Sequence, residues 1–160
     1  FSRTIAENIG ITKKEYSLTE IRKVAEIACL DATVMDFAQG YDTIVGERGV
    51  TLSGGQKQRT AIARMLTQKT PIMVFDDSLS AVDADTDAKI RQELHENLGD
   101  STVILIAHRV TTLMQADCIM VMDKGRVAEI GSHQELMEKH GIYRKIYDMQ
   151  MRLEEDENNG

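Results

Sequence analysis

Two short apolar runs, IMVF at 72–75 and TVILIA at 102–107, constrain this chain more than any other feature. A strand with one wet face alternates apolar and polar residues, whereas an unbroken apolar run suits a strand covered on both faces, as in a parallel sheet. Between the runs, DTDAKIRQELHENL reads as an amphipathic helix, with Ile90 and Leu94 on one face and Gly99 at its end. Strand, helix and strand in that order make a right-handed crossover, so the expected class is α/β with a parallel sheet.

The flanking sequence fits that core. Ser17 and Glu20 form a capping box for a helix that carries Leu18, Ile21, Val24, Ala25 and Ala28 on one face. A short helix is expected from Asp31 to Phe37, and the three-glycine stretch GYDTIVGERGV at 40–50 reads as an exposed loop. CIMVMDKGRVAEIG predicts two short strands around a Lys-Gly turn. HQELMEKH predicts one helix and Ile142 through about Met149 another, with the tail RLEEDENNG solvated and frayed.

Bulk properties exclude some functions. A net charge of −7 argues against a nucleic-acid groove. No apolar run approaches the roughly 18 residues that cross a bilayer. Cys29 and Cys118 lie far apart in sequence and form no metal-binding spacing. His95, His133 and His140 are expected on the surface, and the nine methionines as core filler.

The chemistry concentrates in three places. LSGGQ at 52–56 opens a helix-like run, KQRTAIARMLTQK. A helix start carries unpaired amides and roughly half a positive charge, and glycine lets backbone approach a phosphate closely. Ser53 can donate to that phosphate; it can equally be a plain N-cap. Asp76 ends the first apolar run, where an acid can hold Mg²⁺ near nucleotide phosphates or simply cap the next helix. His108 follows the second run as a polar end-group or a ligand contact. A phosphate cradle of the form Gly-x4-Gly-Lys-[Ser/Thr] is missing, since none of the 11 glycines precedes a lysine.

LSGGQ, an apolar strand ending in Asp76, SAVD at 80–83 and a strand ending at His108 together resemble the ATP-binding-cassette (ABC) ATPases. FSRTIAENI, GYDTIVGERG and DKGRVAEIGSHQEL extend the likeness over nearly the whole chain, toward exporter-type nucleotide-binding domains. The resemblance implies a partial P-loop NTPase-type (RecA-like) sheet core plus an ABC helical subdomain, with residues 1–68 in the subdomain and 69–160 in the core. It implies the C-terminal part of a nucleotide-binding domain, without the P-loop, the Q-loop glutamine or the adenine-stacking aromatic.

By position, the likeness makes Ser53, Gly54, Gly55 and Gln56 the signature motif that covers ATP held by a second domain in a head-to-tail dimer. Asp76 becomes the magnesium acid, Asp77 the general base, Ser80 to Asp83 the D-loop and His108 a γ-phosphate contact. Thr43 to Gly49 becomes the loop that meets the transmembrane domains. The implied function is ATP hydrolysis coupled to export at the cytoplasmic face of a membrane, with ATP and Mg²⁺ as cofactors. The isolated chain is expected to be soluble and to bind ATP poorly. A soluble ABC ATPase and a non-catalytic dimerisation module are the alternatives. Asp77 stands where the family usually has glutamate, which resembles the degenerate half of a heterodimeric exporter; a homodimer tolerating aspartate is the other reading.

Overall fold

The computed structural model of the protein describes residues 3–46, 49–68, 70–76, 81–99 and 101–158. These fall into two compact units, Phe1–Ile104 and Leu105–Gly160.

The first unit opens with strand β1 (Arg3–Thr4) and helix α1 (Ile5–Ile9), then α2 (Leu18–Ile27), α3 (Asp31–Met35) and strand β2 (Ile44–Val45). Helix α1 starts at a capping box in which Thr4 Oγ1 accepts from the Glu7 amide and the Glu7 carboxylate accepts from the Thr4 amide. Ser17 and Glu20 repeat the arrangement at α2, as the sequence predicts. Ile21, Ala25 and Ala28 are buried, whereas Leu18, in the first turn, is exposed.

The stretch 40–50 departs from an exposed loop. Tyr41 and Thr43 are buried, and Ile44–Val45 pairs antiparallel with Arg3–Thr4, register Thr4↔Ile44. Tyr41 donates its hydroxyl to Asp31 at 2.7 Å, and Arg22 grips the same carboxylate with two N–H groups. Local glycines signal turns, and the local signal cannot register a pairing with a strand as distant in sequence as Arg3–Thr4.

Helix α4 (Gly54–Leu66) packs across α1 and α2, burying Ile62, Ala63 and Leu66 with Ile5, Ile9 and Ile21. Burying each large aliphatic contributes about 1.5–3 kcal/mol. Two arginines add direction: Arg64 Nε donates to the Asn8 carbonyl at 2.8 Å, and Arg59 Nη1 to the Cys29 carbonyl at 3.0 Å. Asn8 lies in the last turn of α1, where carbonyls lack intrahelical donors, and Cys29 lies just past the C-cap of α2.

Strand β3 (Ile72–Asp76), helix α5 (Ala84–Asn97) and strand β4 (Thr102–Ile106) form the expected strand–helix–strand unit, with β3 and β4 as hydrogen-bonded neighbours. Ile90 and Leu94 are buried on α5, as predicted. The strands are not covered on both faces. Met73 and Phe75 are buried, while Ile72 and Val74 on the other face are 61% and 53% exposed, as are Val103 and Ile104 at 42% and 48%. An apolar run of this kind fits covering on both faces; the described residues cover one face of β3 and leave Val103 and Ile104, on opposite faces of β4, exposed.

The second unit holds α6 (Val110–Leu113), the hairpin β5 (Ile119–Asp123) and β6 (Arg126–Gly131), α7 (His133–Glu138) and α8 (Ile142–Asn158). Its core is Val110, Ile119, Leu136 and Tyr143. The predicted Lys-Gly turn has Lys124 at φ 47° and Gly125 at φ 75°, the two left-handed residues of a tight hairpin. Helix α8 runs well past Met149, so the charged tail is helical to Asn158 rather than frayed. Its start is capped from outside: the Glu129 carboxylate on β6 accepts from the Ile142 amide and, at 3.1 Å, from the Tyr143 amide. His133 is half-buried, with Nδ1 2.8 Å from the Tyr143 hydroxyl, not a plain surface histidine. Met73 is core, but Met35, Met120, Met122 and Met149 are all more than half exposed, so methionine is not generally core filler here.

Candidate functional site

The start of α4 is built by Ser53. Its backbone is extended, at φ −64° and ψ 167°, and its Oγ accepts from the Gln56 amide at 3.3 Å. Gln56 returns the bond, with Oε1 accepting from the Ser53 amide at 2.9 Å. Ser53 is therefore an N-cap, but one that uses its hydroxyl as an acceptor and so keeps the proton to donate. Gln56 spends its carbonyl oxygen on this cap, a role its place in LSGGQ did not reveal. The amides of Gly54 and Gly55, in the first turn, lack intrahelical acceptors and carry the positive end of a 13-residue helix. Gly54 is exposed and Gly55 half-exposed.

Residues 81–83 lie against that helix start. The Ala81 amide donates to Gln58 Oε1 at 3.0 Å, one turn into α4. A Cβ on Gly55 would stand 3.0 Å from the Ala81 carbonyl oxygen, and one on Gly54 3.5 Å from the Ala81 Cβ. Gly55 is thus needed for a close backbone approach inside the chain as well as for any ligand. Gln58 was not singled out by sequence, because its partner is a backbone amide on a distant loop.

Asp83 caps α5: Oδ1 accepts from the Thr86 amide at 2.9 Å, and that bond holds its carboxyl below the usual range. Asp76, exposed, ends β3. Asp77 and Ser80, predicted as base and D-loop serine, lie outside the described residues, as do Glu47 and Arg48 of the 43–49 loop. In the second unit His108 is exposed between β4 and α6, and its backbone is held by Gln150 of α8.

Taken singly, the groups of the first unit suit Mg²⁺–nucleotide chemistry. Asp76 offers one carboxylate, which matches an ion that usually takes one or two carboxylates and fills its shell with phosphates and water. Among the described residues no group of three His, Cys, Asp or Glu side chains gathers around one point. The start of α4 fits an anion without enclosing it.

Residues 2–80 match the family described as ABC transporter. The chain is 45% identical over 152 residues to the uncharacterized ABC transporter ATP-binding protein YknU of Bacillus subtilis (strain 168), covering 95% of the chain and 26% of that protein. It is 42% identical over 150 residues to an ATP-dependent lipid A-core flippase of Haemophilus influenzae (strain 86-028NP), covering 94% of the chain and 26% of the flippase. Among solved structures, a bacterial Atm1-family ABC exporter with ATP bound superposes with a TM-score of 0.88 at 41% identity, over 94% of this chain and 27% of the exporter. The chain spans about a quarter of the length of these relatives.

Proposed function

Given that this chain belongs to the ABC transporter family, we propose that it forms the lid-bearing C-terminal part of an exporter's ATP-binding domain. In the intact protein that domain hydrolyses ATP to drive export. Residues 1–68 act as the helical subdomain and 69–160 as part of the ATPase core, at the cytoplasmic face of the membrane. The observation that carries the reading is the exposed, free-amide start of α4 at Ser53–Gly55, which offers an anion site but does not enclose one. A helix end that suits a phosphate without enclosing it is explained if another domain holds that phosphate.

Bound Mg²⁺–ATP supplies the reactive γ-phosphorus and the neutralisation of developing charge. Around it each residue has a distinct task. Ser53 Oγ donates a hydrogen bond, and the Gly54 and Gly55 amides point positive dipole at a terminal phosphate held by the partner. Asp83 keeps α5 started beside that helix end, and Gln56 keeps Ser53 extended. Asp76 offers its carboxylate to the magnesium ion. Asp77 receives the proton of the attacking water, and His108 donates to a γ-phosphate oxygen. A base must come within about 3 Å of that water, and aspartate is a methylene shorter than glutamate. The site that contains Asp77 is therefore the slow member of an asymmetric pair, and the intact LSGGQ completes the fast one on the partner. Residues 43–49 meet the transmembrane domains.

The test is Gly54→Asp in this chain alone, within the intact dimer. A carboxylate at the helix start should cut nucleotide trapping at the partner's P-loop at least tenfold, in line with the ~10²–10³-fold cost of losing one preorganised donor. Trapping that disappears from this chain's own P-loop, and stays at the partner's, contradicts the head-to-tail reading.

A further inference from the structure

We propose that Gln150, on α8, is a positioning residue for His108. Its carboxamide bridges the backbone on both sides of Arg109: Oε1 accepts from the Val110 amide at 2.8 Å, and Nε2 donates to the His108 carbonyl at 2.8 Å. Bonds to a carbonyl and to the amide two residues later fix both peptide planes around Arg109. The direction in which the His108 side chain leaves the chain follows from them.

Three further observations make the clamp more than an incidental contact. Arg109 is the N-cap of α6 and makes no side-chain capping bond, so Gln150 is what satisfies the first amide of that helix. Val110, its partner, is 4% exposed and packs in the same cluster as Tyr143 of α8, so the loop is held to α8 by an apolar contact and two polar ones. The chemistry is also selective. A bridge that accepts at one atom and donates at the other needs an amide; glutamate cannot donate and lysine cannot accept. His108 itself is exposed, as a group that must reach a ligand should be, while the backbone behind it is pinned. Helix α8 thereby controls the presentation of His108 from forty-two residues away in sequence. This inference rests on the reading in which His108 contacts the γ-phosphate.

The experiment uses the intact transporter with three variants, read by ATPase kinetics and by hydrogen exchange at the Val110 amide. His108→Ala should abolish most turnover; if it does not, the phosphate-contact reading itself fails. Gln150→Leu should lower kcat about tenfold, because lost hydrogen bonds and a slightly misplaced group act on the reacting state. Its KM for ATP should stay within about twofold, and Val110 exchange should rise about tenfold. The Gln150→Leu effect should vanish in the His108→Ala background, since positioning has nothing left to position. An inactive His108→Ala beside a Gln150→Leu variant with normal kcat overturns the clamp and leaves the reading of His108 intact. If Gln150→Leu loses secondary structure, Gln150→Glu decides. It keeps the acceptor and the volume, so an intermediate kcat supports the proposal and an unchanged kcat overturns it.

Discussion

Gly141 should be intolerant of the smallest side chain, for a reason that has nothing to do with backbone conformation. It precedes α8, whose first amides are satisfied by Glu129 from the neighbouring hairpin. A Cβ on Gly141 would lie 2.6 Å from Glu129 Cδ, so Gly141→Ala must expel the carboxylate. Losing a helix cap costs about 0.5–2 kcal/mol, more when the acceptor is charged. Reduced freedom of the unfolded chain offsets about 0.4–1 kcal/mol of that. The net expectation is a loss of about 1 kcal/mol, read as a lower urea midpoint by circular dichroism. Glu129→Ala should lose about 1–2 kcal/mol by itself. In the Glu129→Ala background, Gly141→Ala should then be neutral or slightly stabilising, because no carboxylate remains to displace. Equal cost in both backgrounds would refute the capping role of Glu129. So would a Gly141→Ala protein that is more stable than the parent.

Two other outcomes concern carboxylates, one that caps a helix and one proposed as the base. Glu20 is held down to about 2, chiefly by the Ser17 amide and then by Lys13. Its folded value lies below the unfolded one, so its contribution to α2 is complete above about pH 4.5. The contribution fades as pH falls toward 2; carboxyl chemical shifts of Glu20 should titrate near 2, and a midpoint above 4 contradicts the capping box. In the intact transporter, Asp77→Glu should raise turnover, since a longer carboxylate reaches the water better. Unchanged turnover, together with a dispensable base on the partner domain, removes the asymmetric-pair proposal.

Much of the local structure was legible because it is local. Ser17–Glu20 is a capping box three residues apart, Lys124–Gly125 a two-residue turn, and Ile90–Leu94 one face of a helix. What escaped was non-local. Tyr41 and Thr43 look like loop residues until Asp31 and the Ile5 amide hold them. Ile72 and Val74 read as buried because an apolar run suits a strand covered on both faces, whereas the described residues cover only one face of β3. The tail to Asn158 was read from its charge alone, although charged residues such as Glu and Arg are good helix formers and α8 is already anchored upstream. At the site, Ser53, Gly54 and Gly55 announced themselves as a motif. Gln58 and Gln150 did not, because each bonds to backbone on another element and leaves no pattern in the chain.

Isothermal titration of this 160-residue protein alone with Mg–ATP tests the central claim most directly. Ser53–Gly55 without a phosphate cradle should produce no measurable saturation up to millimolar nucleotide. Micromolar affinity, in the absence of any other protein, would mean that these residues enclose the nucleotide by themselves and are not a lid.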